Sequence, residues 1–147
     1  MLPDNIAQRA LLPSQAAILV VEDKIDSYVT IVRLLAYCGV IPQNSFWKSS
    51  GWGVVQFADS LPHINLILLD IGLPYEDGYQ VFEAIKKHDR FVDTRIVAVT
   101  GHTDEAEVRK ARASGFNGFL SKPLDTEKFP GQLSRILRGE AGPKSIR

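Results

Sequence analysis

The 147-residue sequence has a single cysteine, no excess of charge of either sign and no long apolar run. One cysteine, Cys38, excludes an intramolecular disulfide and is typical of a reducing compartment. Lys plus Arg and Asp plus Glu both number 17, which gives no support for a nucleic-acid-binding surface. No apolar stretch approaches the roughly 20 residues that span a bilayer, and the N-terminus lacks the features of a signal peptide. We therefore predict a cytoplasmic protein that binds neither nucleic acid nor membrane.

The composition, 45% hydrophobic and 23% charged residues, is that of an ordinary globular domain. Prolines and polar residues in the segment 1–15 predict an N-terminal extension, and residues 139–147 resemble a polar C-terminal tail. Residues 16–138 are expected to form one domain, without repeats. Cys38 lies in an apolar helical pattern, which favours a buried structural thiol over a nucleophile.

Five short apolar runs alternate with five segments of helical periodicity. The clearest runs are residues 17–21, 66–69 and 96–99, with a shorter run at 118–120 and the weakest at 45–47. This alternation predicts an α/β fold with a parallel sheet covered by helices on both faces. Right-handed crossovers leave the two doubly wound sheet orders as the main candidates. The flavodoxin-like order, 2-1-3-4-5, suits five parallel strands with five helices.

Polar residues follow four of the predicted strands, where each strand ends. Because the carboxyl ends of parallel strands meet at one edge of a sheet, these residues are expected to share one crevice. Three carboxylates, one hydroxyl and one ammonium are the composition expected of a Mg²⁺-dependent phosphoryl site. The residues are Glu22, Asp23, Asp70, Thr100 and Lys122.

Crowded carboxylates repel one another, and a cation relieves that repulsion. Asp23 and Asp70 are the predicted direct Mg²⁺ ligands, Glu22 is expected to act through water, and a backbone carbonyl after Asp70 supplies another oxygen. An aspartate can also attack phosphorus to form an aspartyl phosphate. Lys122 and Thr100, both expected to face a solvated crevice, would stabilise the transferring group.

Four stretches, residues 20–23, 68–78, 99–100 and 119–123, together resemble a known family. In order and spacing they are similar to the receiver domain of two-component response regulators, of the single-domain, chemotaxis-regulator-like kind. The resemblance covers about residues 16–138. Residues 41–52 do not match the usual pattern well. Trp47 and Trp52 in that region are expected in the core, with a partner surface as the alternative.

The resemblance assigns a role to each motif residue. Asp70 resembles the phosphoacceptor, and Glu22 and Asp23 resemble the acidic metal pair. Gly72 resembles the residue whose backbone carbonyl binds Mg²⁺. Thr100 and Lys122 resemble the switch hydroxyl and the phosphoryl-binding lysine. Phe119 occupies the aromatic switch position, although it lacks the hydroxyl of the more usual Tyr, and an ordinary core phenylalanine is an equal alternative.

The resemblance implies a phosphorylation-dependent switch rather than a turnover enzyme, with self-phosphorylation and autodephosphorylation as its only chemistry. The phosphoryl donor would be a sensor histidine kinase or a histidine phosphotransfer protein. Phosphorylation would act through Thr100 and bring the Phe119 ring inward. No output domain follows in the sequence. Output is therefore expected through a downstream protein that binds the face of the fourth helix, fifth strand and fifth helix.

Two other functions are compatible with the sequence. An aspartyl-phosphate phosphatase of the haloacid dehalogenase type uses a similar nucleophile and metal, but carries its nucleophile on the first strand, two residues before a second Asp. Here the acidic residues of the first strand, Glu22 and Asp23, are adjacent. The second alternative is an interaction module with a receiver fold that is never phosphorylated, against which the intact acidic cluster and Lys122 argue.

Overall fold

The structure is a computed structural model that describes residues 10–102 and 104–140. Within them, five parallel strands form one sheet in the order β2-β1-β3-β4-β5, as predicted. The strands are β1 Ile18–Val21, β2 Ser45–Lys48, β3 Leu66–Asp70, β4 Arg95–Thr100 and β5 Gly118–Ser121. The helices are α1 Ile25–Tyr37, α2 Val54–Asp59, α3 Gly78–Lys86, α4 Glu105–Ser114 and α5 Phe129–Leu137.

Side chains that alternate along the strands build two separate cores, one on each face of the sheet. Val20 and Leu68 lie in the core covered by α1 and α5. Leu19 and Leu69 lie in the core covered by α2, α3 and α4. Both β1 and β3 are buried along their whole length, which explains why their sequences are continuous apolar runs rather than alternating ones.

The register of the strands brings the predicted site residues together. Val21 at the end of β1 pairs with Leu69, and Asp70, the last residue of β3, pairs with Val99. Thr100 ends β4, and Lys122 follows β5 directly. The carboxyl ends of β1, β3, β4 and β5 therefore form one edge, as predicted for an open α/β sheet.

The start of α1 differs from the sequence interpretation. The pattern predicts Asp26 or Ser27 as the capping residue, but the helix begins at Ile25 after Lys24, with no side-chain cap. The Lys24 amide instead donates to the Glu22 carboxylate at 3.1 Å. Glu22 thus satisfies a backbone donor at the turn out of β1, and Asp26 lies in the first turn, where a negative charge is favourable.

The two tryptophans and Cys38, which the sequence pattern predicts to be buried, differ in their exposure. Trp52 is 82% exposed, so the core interpretation was wrong for this residue, whereas Trp47 is half-buried. Cys38 is partly buried against the core beneath α1, and burial raises the pKa of its thiol, as expected for an unreactive cysteine. In the predicted extension, Leu11 donates a backbone hydrogen bond to the Leu137 carbonyl at 3.2 Å.

Parts of the predicted extension and tail, residues 1–9 and 141–147, lie outside the described residues. The sequence pattern predicts Thr103 or Asp104 as the cap of α4, and Thr103 also lies outside the described residues. The other candidate, Asp104, accepts a hydrogen bond from the Glu107 amide at 2.8 Å and caps the helix. Across residues 10–102 and 104–140, no helix has both the length and the apolar character required to cross a bilayer.

Candidate functional site

Three carboxylates meet at the edge formed by the strand ends. Glu22, Asp23 and Asp70 each offer one oxygen, and these oxygens lie within 4.8 Å of one another. Glu22 is fully buried and Asp70 is 6% exposed, whereas Asp23 is half-buried. An arrangement of this density is electrostatically unfavourable unless a cation lies among the carboxylates.

Lys122 supplies one cation from the end of β5. Its Nζ donates to Glu22 Oε1 in a short hydrogen bond and to Asp70 Oδ2 at 2.9 Å. Burial lowers the pKa of Lys122, but the bonds to both carboxylates outweigh this effect and the net shift is upward. The ammonium group therefore remains protonated. It neutralises one of the three negative charges and leaves a net negative cluster.

Both carboxylate oxygens of Glu22 accept hydrogen bonds from the protein. Oε1 accepts from Lys122, and Oε2 accepts from the Lys24 amide. Burial is the main cause that raises the pKa of Glu22, and the nearby Asp70 carboxylate adds to the rise, whereas the hydrogen bonds from Lys122 and Lys24 oppose it. These bonds favour the predicted indirect role for Glu22, through water, over direct coordination.

Asp23 has the most available carboxylate of the cluster. In the described ranges, no hydrogen bond or ion pair to this side chain is formed. Asp70 is intermediate, because Oδ1 accepts from the Gly72 amide at 2.7 Å and Oδ2 from Lys122. The availability of Asp23 suits a direct metal ligand, while the contacts of Asp70 fix the orientation of its carboxylate.

The loop after Asp70 is fixed where it enters α3. Asp77 caps the helix by accepting from the Tyr79 amide at 2.9 Å. Gly78 follows, and a Cβ at this position would lie 2.5 Å from Ile71 Cα. Only glycine permits this approach, which folds the end of the loop back onto its beginning. The exposed Gly72 thereby lies beside the Asp70 carboxylate.

Thr100 lies beside the cluster but is 1% exposed, so the prediction that its side chain faces a solvated crevice was wrong. Its Oγ1 accepts from the exposed His102 amide at 3.0 Å, which leaves the hydroxyl proton free to donate. The Thr100 carbonyl in turn accepts from the Lys122 amide at 2.9 Å. A backbone hydrogen bond at Thr100 therefore joins the end of β4 to the residue that follows β5.

Phe119 is fully buried on β5, in the core covered by α2, α3 and α4. The ring therefore occupies the inward position. Val108 and Ala111 of α4 belong to the same core, so the ring is part of the packing that holds α4 against the sheet.

Trp47 is a residue of the site that sequence reasoning missed. Its Nε1 donates to the Glu22 carbonyl at 2.7 Å, and its ring stacks on Tyr28 of α1 with centroids 4.4 Å apart. No local sequence signal reveals this contact, because β2 is short and lies 25 positions further along the chain. Trp47 thus connects the poorly matching region 41–52 to the backbone of the acidic pair.

We expect the fluorescence of Trp47 to change when Mg²⁺ binds, because a metal at Asp23 and Asp70 alters the field around the adjoining Glu22 carbonyl. Trp52→Phe removes the other tryptophan, which is exposed and whose emission would otherwise obscure that of Trp47. A titration of this variant should give a saturable change that Asp23→Ala eliminates. Binding seen by calorimetry without any change in emission would contradict the placement of Trp47.

The donor set determines which chemistry the cluster can perform. Each ligand atom that the three residues of the cluster offer is a carboxylate oxygen. Oxygen donors of this kind suit hard divalent cations rather than zinc or copper. The Asp70 carboxylate contacts the Lys122 ammonium and lies beside the other carboxylates, so a cation held by the cluster and the ammonium could both neutralise a group that arrives at Asp70.

Comparisons with known proteins agree with this geometry. Residues 18–133 match the family described as the response regulator receiver domain. The chain is 30% identical over 135 residues to the osmosensing histidine protein kinase SLN1 of Saccharomyces cerevisiae, covering 87% of this chain and 11% of that protein. It is 30% identical over 126 residues to the probable methanogenesis regulatory protein FilR2 of Methanothrix harundinacea, covering 81% and 79%.

The fold is also similar to solved structures. The chemotaxis response regulator CheY4 of Vibrio cholerae superimposes with a TM-score of 0.72 at 22% identity, covering 82% of this chain and 98% of that one. The chain spans only a small part of some relatives, 11% of SLN1 and 16% of the sensor histidine kinase CheAY of Helicobacter pylori. The family match extends from β1 into α5 and includes every residue of the acidic cluster. The chain belongs to the receiver domain family of two-component signalling.

Proposed function

We propose that this protein is a phosphorylation-dependent switch that accepts a phosphoryl group from a phosphohistidine donor onto Asp70, with Mg²⁺ as its cofactor. The donor is a sensor histidine kinase or a histidine phosphotransfer protein. The observation that carries this proposal is that Asp70 contacts the Lys122 ammonium at 2.9 Å and clusters with the carboxylates of Glu22 and Asp23. Receiver domains are signalling modules, so the chemistry is limited to gain and loss of one phosphoryl group.

In the proposed transfer, one oxygen of Asp70 attacks phosphorus. An O–P bond forms while the N–P bond to the donor imidazole breaks, and the imidazole nitrogen keeps the electron pair and takes up a proton. Lys122 neutralises charge on the phosphoryl oxygens, and the Thr100 hydroxyl donates to one of them. Asp23, Asp70 and the Gly72 carbonyl would hold Mg²⁺, which would supply the remaining charge neutralisation.

The two alternative functions receive less support. The candidate nucleophile, Asp70, lies at the end of β3, whereas a phosphatase of the haloacid dehalogenase type carries it on the first strand. A module that is never phosphorylated has no need for a buried cluster of three carboxylates and a lysine, which is costly to maintain. Turnover of a small phosphate ester would support the first alternative, and failure to form an acyl phosphate with any donor would support the second.

We propose that output leaves through the face formed by α4, β5 and α5, towards a downstream protein. The contact from the Lys122 amide to the Thr100 carbonyl joins β4 to β5 behind the site. Phe119 then connects β5 to the core beneath α4. A movement of Thr100 towards the phosphoryl group would therefore alter the packing of α4.

The single cysteine, typical of a reducing compartment, supports a cytoplasmic location.

Beryllofluoride, which stands in for the phosphoryl group, tests this switch by NMR. We expect shifts of amide signals at Asp70, at Thr100 and along β5, and shifts of the ring signals of Phe119, which is buried in the core beneath α4. Asp70→Asn should show none of these shifts under the same conditions. Shifts confined to the loop 70–77, with Thr100 and β5 unmoved, would mean that the signal leaves by another route.

A further inference from the structure

The Glu76 carboxylate joins two loops that are distant in the sequence. Its Oε2 accepts from the Gly51 amide at 2.6 Å, and its Oε1 accepts from the Trp52 amide at 2.9 Å. Both are hydrogen bonds to an ionised acceptor, which are stronger than those between neutral groups. We call these two bonds the Glu76 clasp. It connects the loop before α2 to the loop between β3 and α3.

The backbone on both sides of the clasp is adapted to it. A Cβ at Gly51 would lie 2.6 Å from Val81 Cγ2 and 3.0 Å from Glu76 Oε2, so the close approach requires glycine. Tyr75, immediately before Glu76, has a φ of 64°, a value that non-glycine residues rarely adopt, and its side chain is fully exposed. No buried contact of the Tyr75 side chain accounts for this conformation. A strained backbone conformation persists only where neighbouring contacts hold it in place. The two hydrogen bonds of Glu76 are contacts of that kind.

The segment held by the clasp leads directly from the phosphoryl site. It begins at Asp70, passes Gly72, whose amide donates to Asp70 Oδ1 at 2.7 Å, and ends at Asp77, the cap of α3. The first end is fixed by the sheet and the last by the helix. Between them, Leu73 packs into the core covered by α2, α3 and α4, and Glu76 bonds the loop to another loop 25 positions away in the sequence.

We propose that Glu76 is a positioning residue for the Asp70 site, and this inference rests on the function proposed above. By holding the loop 71–77 against the loop 49–53, the clasp fixes the Gly72 backbone beside the Asp70 carboxylate. The carbonyl expected to complete the metal site is then preorganised, and less ordering is required when Mg²⁺ binds. Glu76 itself touches neither the metal nor the phosphoryl group.

The test compares Glu76→Gln with Glu83→Gln, which removes the same charge from an exposed position on α3. Two quantities are measured: Mg²⁺ affinity by calorimetry, and amide hydrogen exchange at Gly51, Trp52 and Gly72 without metal. We expect Glu76→Gln to weaken Mg²⁺ binding about three- to tenfold, less than the ~10- to 100-fold typical of groups that bond a metal ligand directly. Exchange should accelerate at all three amides, and Glu83→Gln should match the wild type.

Gly51→Ala disturbs the same contact from the other loop and is expected to reproduce both effects, which keeps the test decisive should Glu76→Gln fail to fold. Urea melts establish that each variant is folded during the measurements. The proposal is overturned if Gly51 and Trp52 exchange faster while Gly72 exchange and Mg²⁺ affinity stay at the Glu83→Gln values. Absence of Mg²⁺ binding by the wild type would contradict the proposed function, and exchange at Gly72 would still decide the role of the clasp.

Discussion

Asp23→Ala is expected to weaken Mg²⁺ binding by about 100-fold or more, beyond the loss typical of groups that only support a metal ligand. Asp23 is the carboxylate of the cluster that the described residues leave without a hydrogen-bond donor, so it can offer its oxygens to a metal at no cost in protein contacts. Its removal also reduces the repulsion that makes a cation favourable at this edge of the sheet. Isothermal titration calorimetry measures the change directly.

A matched control is Asp26→Ala, which removes the same charge three positions further along, from an exposed position in the first turn of α1. We expect its Mg²⁺ affinity to remain close to that of the wild type, because charge at this exposed position is screened by solvent. If Asp23→Ala binds Mg²⁺ as the wild type does, the metal lies elsewhere and the assignment of Asp23 is wrong.

Lys122→Ala should lower the free energy of unfolding by about 3 kcal/mol in the absence of Mg²⁺, because it leaves Glu22 buried without its ion-pair partner. Glu22 is fully buried and Lys122 contacts both it and Asp70. Added Mg²⁺ should restore part of this loss, since a bound cation relieves the same repulsion and stabilises the folded state by mass action. Urea melts of the wild type and the variant, with and without Mg²⁺, measure both effects.

The double variant Glu22→Gln with Lys122→Ala is the control for this mechanism. It removes the buried charge together with its partner, so we expect much of the lost stability to return. The same variants should accept a phosphoryl group slowly, because Lys122 no longer neutralises its oxygens. Melts of Lys122→Ala that coincide with those of the wild type would show that the Lys122 ion pairs contribute nothing to stability.

The sequence carries enough information to predict the sheet and the position of the site. Continuous apolar runs such as 66–69 mark strands buried on both faces, and the polar residue that ends each run must then lie at the shared edge. The weakest prediction, a strand at 45–47, is confirmed by β2 at Ser45–Lys48. The local sequence pattern was enough to predict these strands and the residues at their ends, because the place of each such residue at the sheet edge depends on its own strand.

The contacts within the site could not be predicted in the same way. The bonds from Trp47 to the Glu22 carbonyl and from Glu76 to the Gly51 amide each join residues 25 positions apart, and no periodicity encodes them. The burial of Thr100 depends on the packing of other segments around the end of β4, which the sequence of β4 alone does not specify. Such features follow from tertiary packing rather than from local preference.

The most direct test of the account is the intact mass of the protein after incubation with Mg²⁺ and acetyl phosphate. We expect the wild type to gain the mass of one phosphoryl group. Without Mg²⁺ in the incubation, we expect no gain in mass. Asp70→Asn, which keeps the size of the side chain but cannot form an acyl phosphate, should gain nothing. An unmodified wild type, or an Asp70→Asn variant that is modified equally, would contradict the assignment of Asp70 as the phosphoryl acceptor.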